Sequence, residues 1–231
     1  MIPLGIKKID KLIGGGVPEG FNILFTGMPG TGKSLFVHKI VYSLLERGYY
    51  VIFITTDRSP EQLVREVGNL DMNYKKYIRN KHLIIIDVYA GEARVSDNSL
   101  SADIRDLTSV SLLIDKVASE LKGKKVVQVY DVLTELFIWT RKDELILRFV
   151  SNACARSRAD NSLSIFVVNE GMQKEEYLNS IEAITQATIK LGITDDKRWL
   201  SVKKFQGAPV STKRIYFRIN PKNGKISFLR K

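Results

Sequence analysis

The 231 residues hold one cysteine, Cys154, two histidines, His38 and His82, and six prolines. A single cysteine excludes a disulfide framework and a cysteine-built zinc site and fits a reducing compartment, with Cys154 read as a small buried apolar residue. Two histidines far apart offer no metal-ligand spacing, so both read as structural or surface groups. No apolar run approaches the roughly 18–20 residues of a membrane span, and the segment after Met1 lacks the apolar core of a signal peptide. The expectation is a cytoplasmic protein with no membrane role. Low-complexity tracts are also missing, and 44% hydrophobic with 26% charged residues excludes the disordered and fibrous classes. The last absence is local. From Lys197 onward there are eleven basic side chains and no acid, so the whole excess of +11 lies in the last 35 residues and the other 196 are neutral. That arrangement sets one neutral body beside one basic end.

What is present is an alternation of short β-branched apolar runs with longer amphipathic stretches, the pattern of a mostly parallel sheet covered by helices. Strands are expected at Phe21 to Thr26, Tyr50 to Thr55, His82 to Val88, Lys125 to Tyr130 and Ser164 to Asn169. Helices are expected at Ser34 to Glu46, Pro60 to Leu70, Thr108 to Leu121 and Lys142 to Asp160. Ser59-Pro60-Glu61 supplies a cap, a first-turn proline and a first-turn acid. Ala90 to Leu107 is polar and reads as a surface loop. After a polar helix at Gln173 to Ala187, strands at Thr188 to Ile193, Arg198 to Phe205, Arg214 to Ile219 and Ile226 to Leu229 form a β-meander at the sheet edge. Asn220-Pro221-Lys222-Asn223-Gly224 marks its last hairpin. One domain spanning 1–231 accounts for the pattern, with the basic meander at 197–231.

Gly27-Met28-Pro29-Gly30-Thr31-Gly32-Lys33-Ser34 matches G-x-x-x-x-G-K-[ST] between an apolar strand and an amphipathic helix. There the glycines let successive N–H groups turn around phosphate oxygens, and the helix start adds its positive end. Lys33 would reach the β and γ phosphates, Ser34 would ligate Mg²⁺, and Leu35 continues the loop into the helix. A carboxylate on a second strand is needed for the Mg²⁺ water shell. Asp131 ends one hydrophobic strand at the ligand-binding edge; Asp87 ends another, and Asp131 is preferred.

Gly5-Ile6-Lys7-Lys8-Ile9-Asp10, then Ile13-Gly14-Gly15-Gly16-Val17-Pro18-Glu19-Gly20, resembles the opening of the KaiC/RadA branch of RecA-like ATPases. Phe53 to Pro60 and Val202-Lys203-Lys204-Phe205-Gln206-Gly207 extend the resemblance over nearly the whole chain, closest to the single-domain archaeal RadA paralogues. It implies an α/β RecA-like P-loop core with a mostly parallel central sheet flanked by helices and a C-terminal antiparallel meander, ATP with Mg²⁺, and a setting in DNA repair. It also implies a Glu-Glu pair after the second core strand, where this chain has Asp57 and Arg58. The shorter Asp57 would hold the attacking water poorly, a misplacement that can cost on the order of a hundredfold, and Arg58 would lower its basicity further. The family's hairpin presents K-x-R-G to a neighbouring subunit's γ-phosphate; Lys204 is retained and Gln206 replaces the arginine. Asn169 resembles a sensor of the γ-phosphate or water. Slow hydrolysis follows as the expectation.

The basic end interleaves its cations with Trp199, Phe205, Tyr216, Phe217 and Phe228, and the rings read as core. Its cations, with Lys203, Lys213, Arg214 and Arg218 foremost, read as a site for DNA, single-stranded favoured. Arg156-Ser157-Arg158 is a smaller basic cluster. The leading expectation is an ATP-binding, DNA-binding protein that modulates a RadA-type recombinase. The alternatives are a KaiC-like signalling ATPase without a nucleic-acid role and a ligand-gated scaffold. A homo-oligomer is compatible with the late hairpin without being required by it.

Overall fold

The computed structural model describes residues 1–88 and 100–229. In chain order the elements are α1 (Lys7–Leu12), β1 (Asn22–Gly27), α2 (Lys33–Glu46), β2 (Tyr50–Thr55), α3 (Pro60–Gly68), α4 (Tyr74–Arg79), β3 (Leu83–Asp87), β4 (Leu100–Ser101), α5 (Leu107–Glu120), β5 (Val126–Asp131), α6 (Thr134–Thr140), α7 (Asp143–Ala159), β6 (Leu163–Asn169), α8 (Glu175–Ile184), β7 (Ala187–Thr194), β8 (Lys197–Phe205), β9 (Ile215–Ile219) and β10 (Ile226–Phe228). The strands form one sheet in the order β10-β9-β8-β7-β1-β6-β5-β2-β3-β4. All pairings from β7 to β4 are parallel, and β7 to β10 pair antiparallel. The meander therefore grows from β7, which itself lies parallel to β1.

The central strands are apolar along their whole length because both faces are covered. Ile23 and Phe25 pack with Phe36, Val37 and Phe53 on one face, under α2 and α3. Leu24 packs with Tyr130, Phe149 and Phe166 on the other, under α5 and α7. Each such fully buried side chain contributes about 1.5–3 kcal/mol. The start of α3 follows the sequence reading: the Ser59 side chain accepts the Gln62 N–H at 3.1 Å with Pro60 in the first turn. So does the last hairpin, where the Asn220 N–H donates to the Lys225 carbonyl at 2.9 Å and Gly224 takes φ +62°.

Three expectations change. The expected loop at Ala90 to Leu107 is shortened: Leu100–Ser101 forms a strand on β3, and the part at 89–99 lies outside the described residues. The polar helix stops at Ile184 rather than Ala187, because Ala187 pairs with Ile23 and opens β7. The short helices α1, α4 and α6 were not anticipated. Among the described residues no helix is long and apolar enough to cross a membrane.

Candidate functional site

Parallel pairing sets the C-termini of the central strands in a row. Gly27 lies beside Asn169, and Thr55 lies between Asp87 and Asp131. With β5 two strands from β1 and β3 four, Asp131 stands about 10 Å from the loop strand and Asp87 about 19 Å at ~4.8 Å per strand. That spacing favours Asp131.

The loop leaving β1 is shaped for backbone rather than side chains. At Gly27, φ +147°, a Cβ would come 2.1 Å from the Leu191 carbonyl oxygen, and at Gly32, φ +102°, 3.0 Å from Ile219 Cδ1. No side chain caps α2, so its first-turn N–H groups remain directed at the loop. Lys33 is buried and its ammonium donates to the carbonyls of Gly27 at 2.7 Å and Met28 at 2.9 Å. Burial lowers its pKa to about 8, against the pull of Glu170 and Asp131. Met28, Pro29 and Gly30 are exposed, Thr31 is buried, and Ser34 is half-buried on the first turn of α2. Leu35 points away to the meander, near Gly224. Glu170 was missed in the sequence. It accepts from the Thr26 hydroxyl at 3.1 Å and from Lys190 at 3.0 Å, and its own N–H donates to the Gly27 carbonyl. Asn169, beside Gly27, donates its N–H to Thr134 Oγ1.

Asp131 is fully buried. Its Oδ2 accepts from Arg58 Nη2 at 2.8 Å, and its Oδ1 is buried with no hydrogen-bond partner. Burial raises its pKa to about 6 in spite of Arg58. Arg58 also donates from Nε to Asp57 at 3.0 Å and from Nη1 to Glu66 at 3.1 Å. The expected Asp57–Arg58 pair therefore exists, but its consequence is corrected: burial outweighs the guanidinium and raises the Asp57 pKa. That Arg58 reaches Asp131 has no local signal, since 73 positions separate them.

The basic end is divided. Lys204, expected to project toward a neighbour's triphosphate, gives its ammonium to the carbonyls of Glu182 at 2.7 Å, Ala183 at 3.2 Å and Thr185 at 2.6 Å. It pairs with Thr188 near the start of β7, so in this conformation the ammonium is held by its own chain. Lys203 is ion-paired to Glu182 at 2.7 Å. The Arg214 guanidinium stacks 4.3 Å from the Trp199 ring centroid. Lys213 and Arg218 are exposed; Arg230 and Lys231 lie outside the described residues. Trp199 and Phe217 are buried as expected, whereas Arg156 is tied to Asp115 at 3.1 Å. Lys8 and Lys11 of α1 join Lys197, Lys213 and Arg214 around a cleft of about 970 Å³. A second hollow of about 400 Å³, lined by Arg198, Phe217 and Ile219, adjoins Gly32 through Ile219.

A glycine loop between a central parallel strand and an uncapped helix, with a buried aspartate two strands along the same edge, defines a P-loop ATPase of RecA-like fold. The comparison with known proteins narrows this: residues 2–230 match the KaiC ATPase family, and the chain belongs to it. A UPF0273 protein of Methanopyrus kandleri is 25% identical over 97% of this chain and 91% of its own length. The archaeal flagellar ATP-binding protein FlaH of Methanocaldococcus jannaschii is 25% identical over 96% and 93%. A solved KaiC-like protein of Pyrococcus horikoshii shares the fold with a TM-score of 0.77 at 22% identity, over 99% of this chain and 98% of that one.

Proposed function

We propose that this chain is a regulatory ATPase that binds ATP·Mg²⁺ firmly, turns it over slowly, and presents its nucleotide state to a partner protein. The carrying observation is the loop itself, where Gly27 leaves no room for a Cβ, Gly32 takes a φ of +102° and Lys33 rests on its own loop carbonyls. Incoming phosphates would take the N–H groups of residues 30–34 and draw the Lys33 ammonium off those carbonyls onto the β and γ oxygens. The base end has the hollow at Arg198 and Ile219 beside it; Arg198 Nε is buried there without a partner. Ser34 and the unpaired Oδ1 of Asp131 fit a Mg²⁺ shell, and the metal would supply charge neutralisation between the phosphates. Asp57 is the carboxylate available to orient water, with Asn169 two strands away on the same edge. The short reach of Asp57 holds the rate down. FlaH, named as a flagellar ATP-binding protein, supports a role outside recombination. Lys33→Met is expected to weaken ATP binding at least a hundredfold by calorimetry while leaving the far-ultraviolet dichroism intact. Unchanged affinity would remove the reading.

A second reading, a RadA-paralogue role on single-stranded DNA beside a recombinase, is favoured by one observation, the cleft ringed by Lys8, Lys11, Lys197, Lys213 and Arg214. Were it right, log affinity for single strands would fall with log salt by about 0.7 per phosphate neutralised. Reversal of Lys213, Arg214 and Arg218 to glutamate would flatten that slope. An unchanged slope in the triple variant disposes of it.

A further inference from the structure

Arg58 follows β2 and precedes the cap of α3, and its backbone is fixed: the Thr55 hydroxyl donates to its carbonyl at 2.9 Å. From that anchored position the guanidinium spans three carboxylates on three segments. It holds Asp57 in the connection after β2, Glu66 on α3 and Asp131 at the end of β5, at 3.0, 3.1 and 2.8 Å. Glu66 is braced in turn by Gln62 Nε2 at 2.8 Å. The Arg58 side chain is 15% exposed and Asp131 is wholly enclosed. A guanidinium stays charged at every working pH and matches carboxylates through fixed donors. Asp131 therefore already has a cation on one oxygen, while its other oxygen, Oδ1, has no partner.

We propose that Arg58 is a resident cation that competes with the divalent metal for Asp131. It sets how tightly the nucleotide complex holds metal and lets nucleotide bind with little dependence on Mg²⁺. The inference rests on the nucleotide reading above and deepens it. Its physical basis is charge. A divalent ion on Asp131 would sit next to a cation that Asp57 and Glu66 hold in place, and like charges brought together at a desolvated site oppose binding. With Arg58 present, the site is compensated before metal arrives. Without Arg58, Asp131, Asp57 and Glu66 lose the cation they share, and metal affinity rises.

Mn²⁺ supplies a probe whose free concentration is read by electron paramagnetic resonance, independently of turnover. It would be titrated into the full chain with ADP bound, for wild type, Arg58→Gln, Arg58→Lys and Glu66→Gln. The expected result is Mn²⁺ binding tightened about tenfold or more in Arg58→Gln. Arg58→Lys, which keeps the charge and loses the fork, should fall between that variant and wild type. Glu66→Gln, which leaves the Asp131 pair in place and strips one compensating carboxylate from Arg58, should weaken Mn²⁺ binding severalfold, and it carries the test if Arg58→Gln does not fold. Equal or weaker Mn²⁺ binding in the folded Arg58→Gln chain, or equal or tighter binding in Glu66→Gln where only that variant folds, overturns the inference alone. A wild-type chain that binds no nucleotide overturns the inference and the function together.

Discussion

His38 shows how strongly the interior around the site governs single side chains. It lies on α2 with its ring stacked on Phe53 at 5.4 Å and its Nδ1 3.1 Å from the Tyr74 hydroxyl. Burial, helped by the charge of Arg58, depresses its pKa to about 3. An unfolded histidine titrates near 6.5, so between about 6.5 and 3 the unfolded chain takes up a proton that the folded chain refuses. Stability present above 6.5 is lost as pH falls through that window. Asp131 acts in the opposite sense: its pKa is raised to about 6, so the folded chain is protonated first and this group favours folding as pH drops below 6. His38→Gln separates the two, since the amide can still bond Tyr74 and cannot titrate. Between pH 7.5 and 5, urea unfolding should show wild type losing about 2 kcal/mol more than the variant. Equal losses would mean that His38 is charged in the folded state. The residue scale also marks the limit of sequence reading. The phosphate loop was legible because its groups are consecutive. The grip of Arg58 on Asp131 was not, because it exists only once β2 and β5 are neighbours, and the raised pKa of Asp57 reflects burial that no local pattern reports.

Among the elements, the long strands and helices were legible from periodicity and caps; β2 spans Tyr50–Thr55 as read, and Ser59 caps α3. Helices α1, α4 and α6, six or seven residues each, span fewer than two turns, too few to establish a period. The β9–β10 hairpin links the basic end to the phosphate loop. Phe217 is buried, with ring centroids 5.0 Å from Phe36 and 6.2 Å from Phe228, and Ile219 touches Gly32. Phe217→Ala is expected to cost about 3–5 kcal/mol in urea unfolding. Hydrogen exchange should quicken over residues 215–228, and ATP affinity should weaken as the hairpin loosens over Gly32. Unchanged exchange there would show that the hairpin is held by something other than this aromatic cluster.

For the whole molecule, the basic end that dominates the sequence is less uniform once folded. Lys203 and Lys204 are tied to α8, while Lys8 and Lys11, far away in sequence, enter the same cleft as Lys213 and Arg214. Net charge therefore indicated an anionic partner without showing which cations stay available to it, because pairing with Glu182 and the carbonyls at the end of α8 depends on β8 running back along β7. The same holds for rate. The loop promised ATP, whereas the carboxylates beyond it, bound to Arg58, argue for slow use of it. The most direct measurement is therefore a paired one on the wild-type chain: equilibrium binding of ATP with and without Mg²⁺, and steady-state phosphate release from the same sample. The account predicts firm binding in both conditions with turnover well below about one per second, at the slow end of the ordinary enzyme range. Turnover above that rate, or ATP binding that vanishes without Mg²⁺, would contradict it.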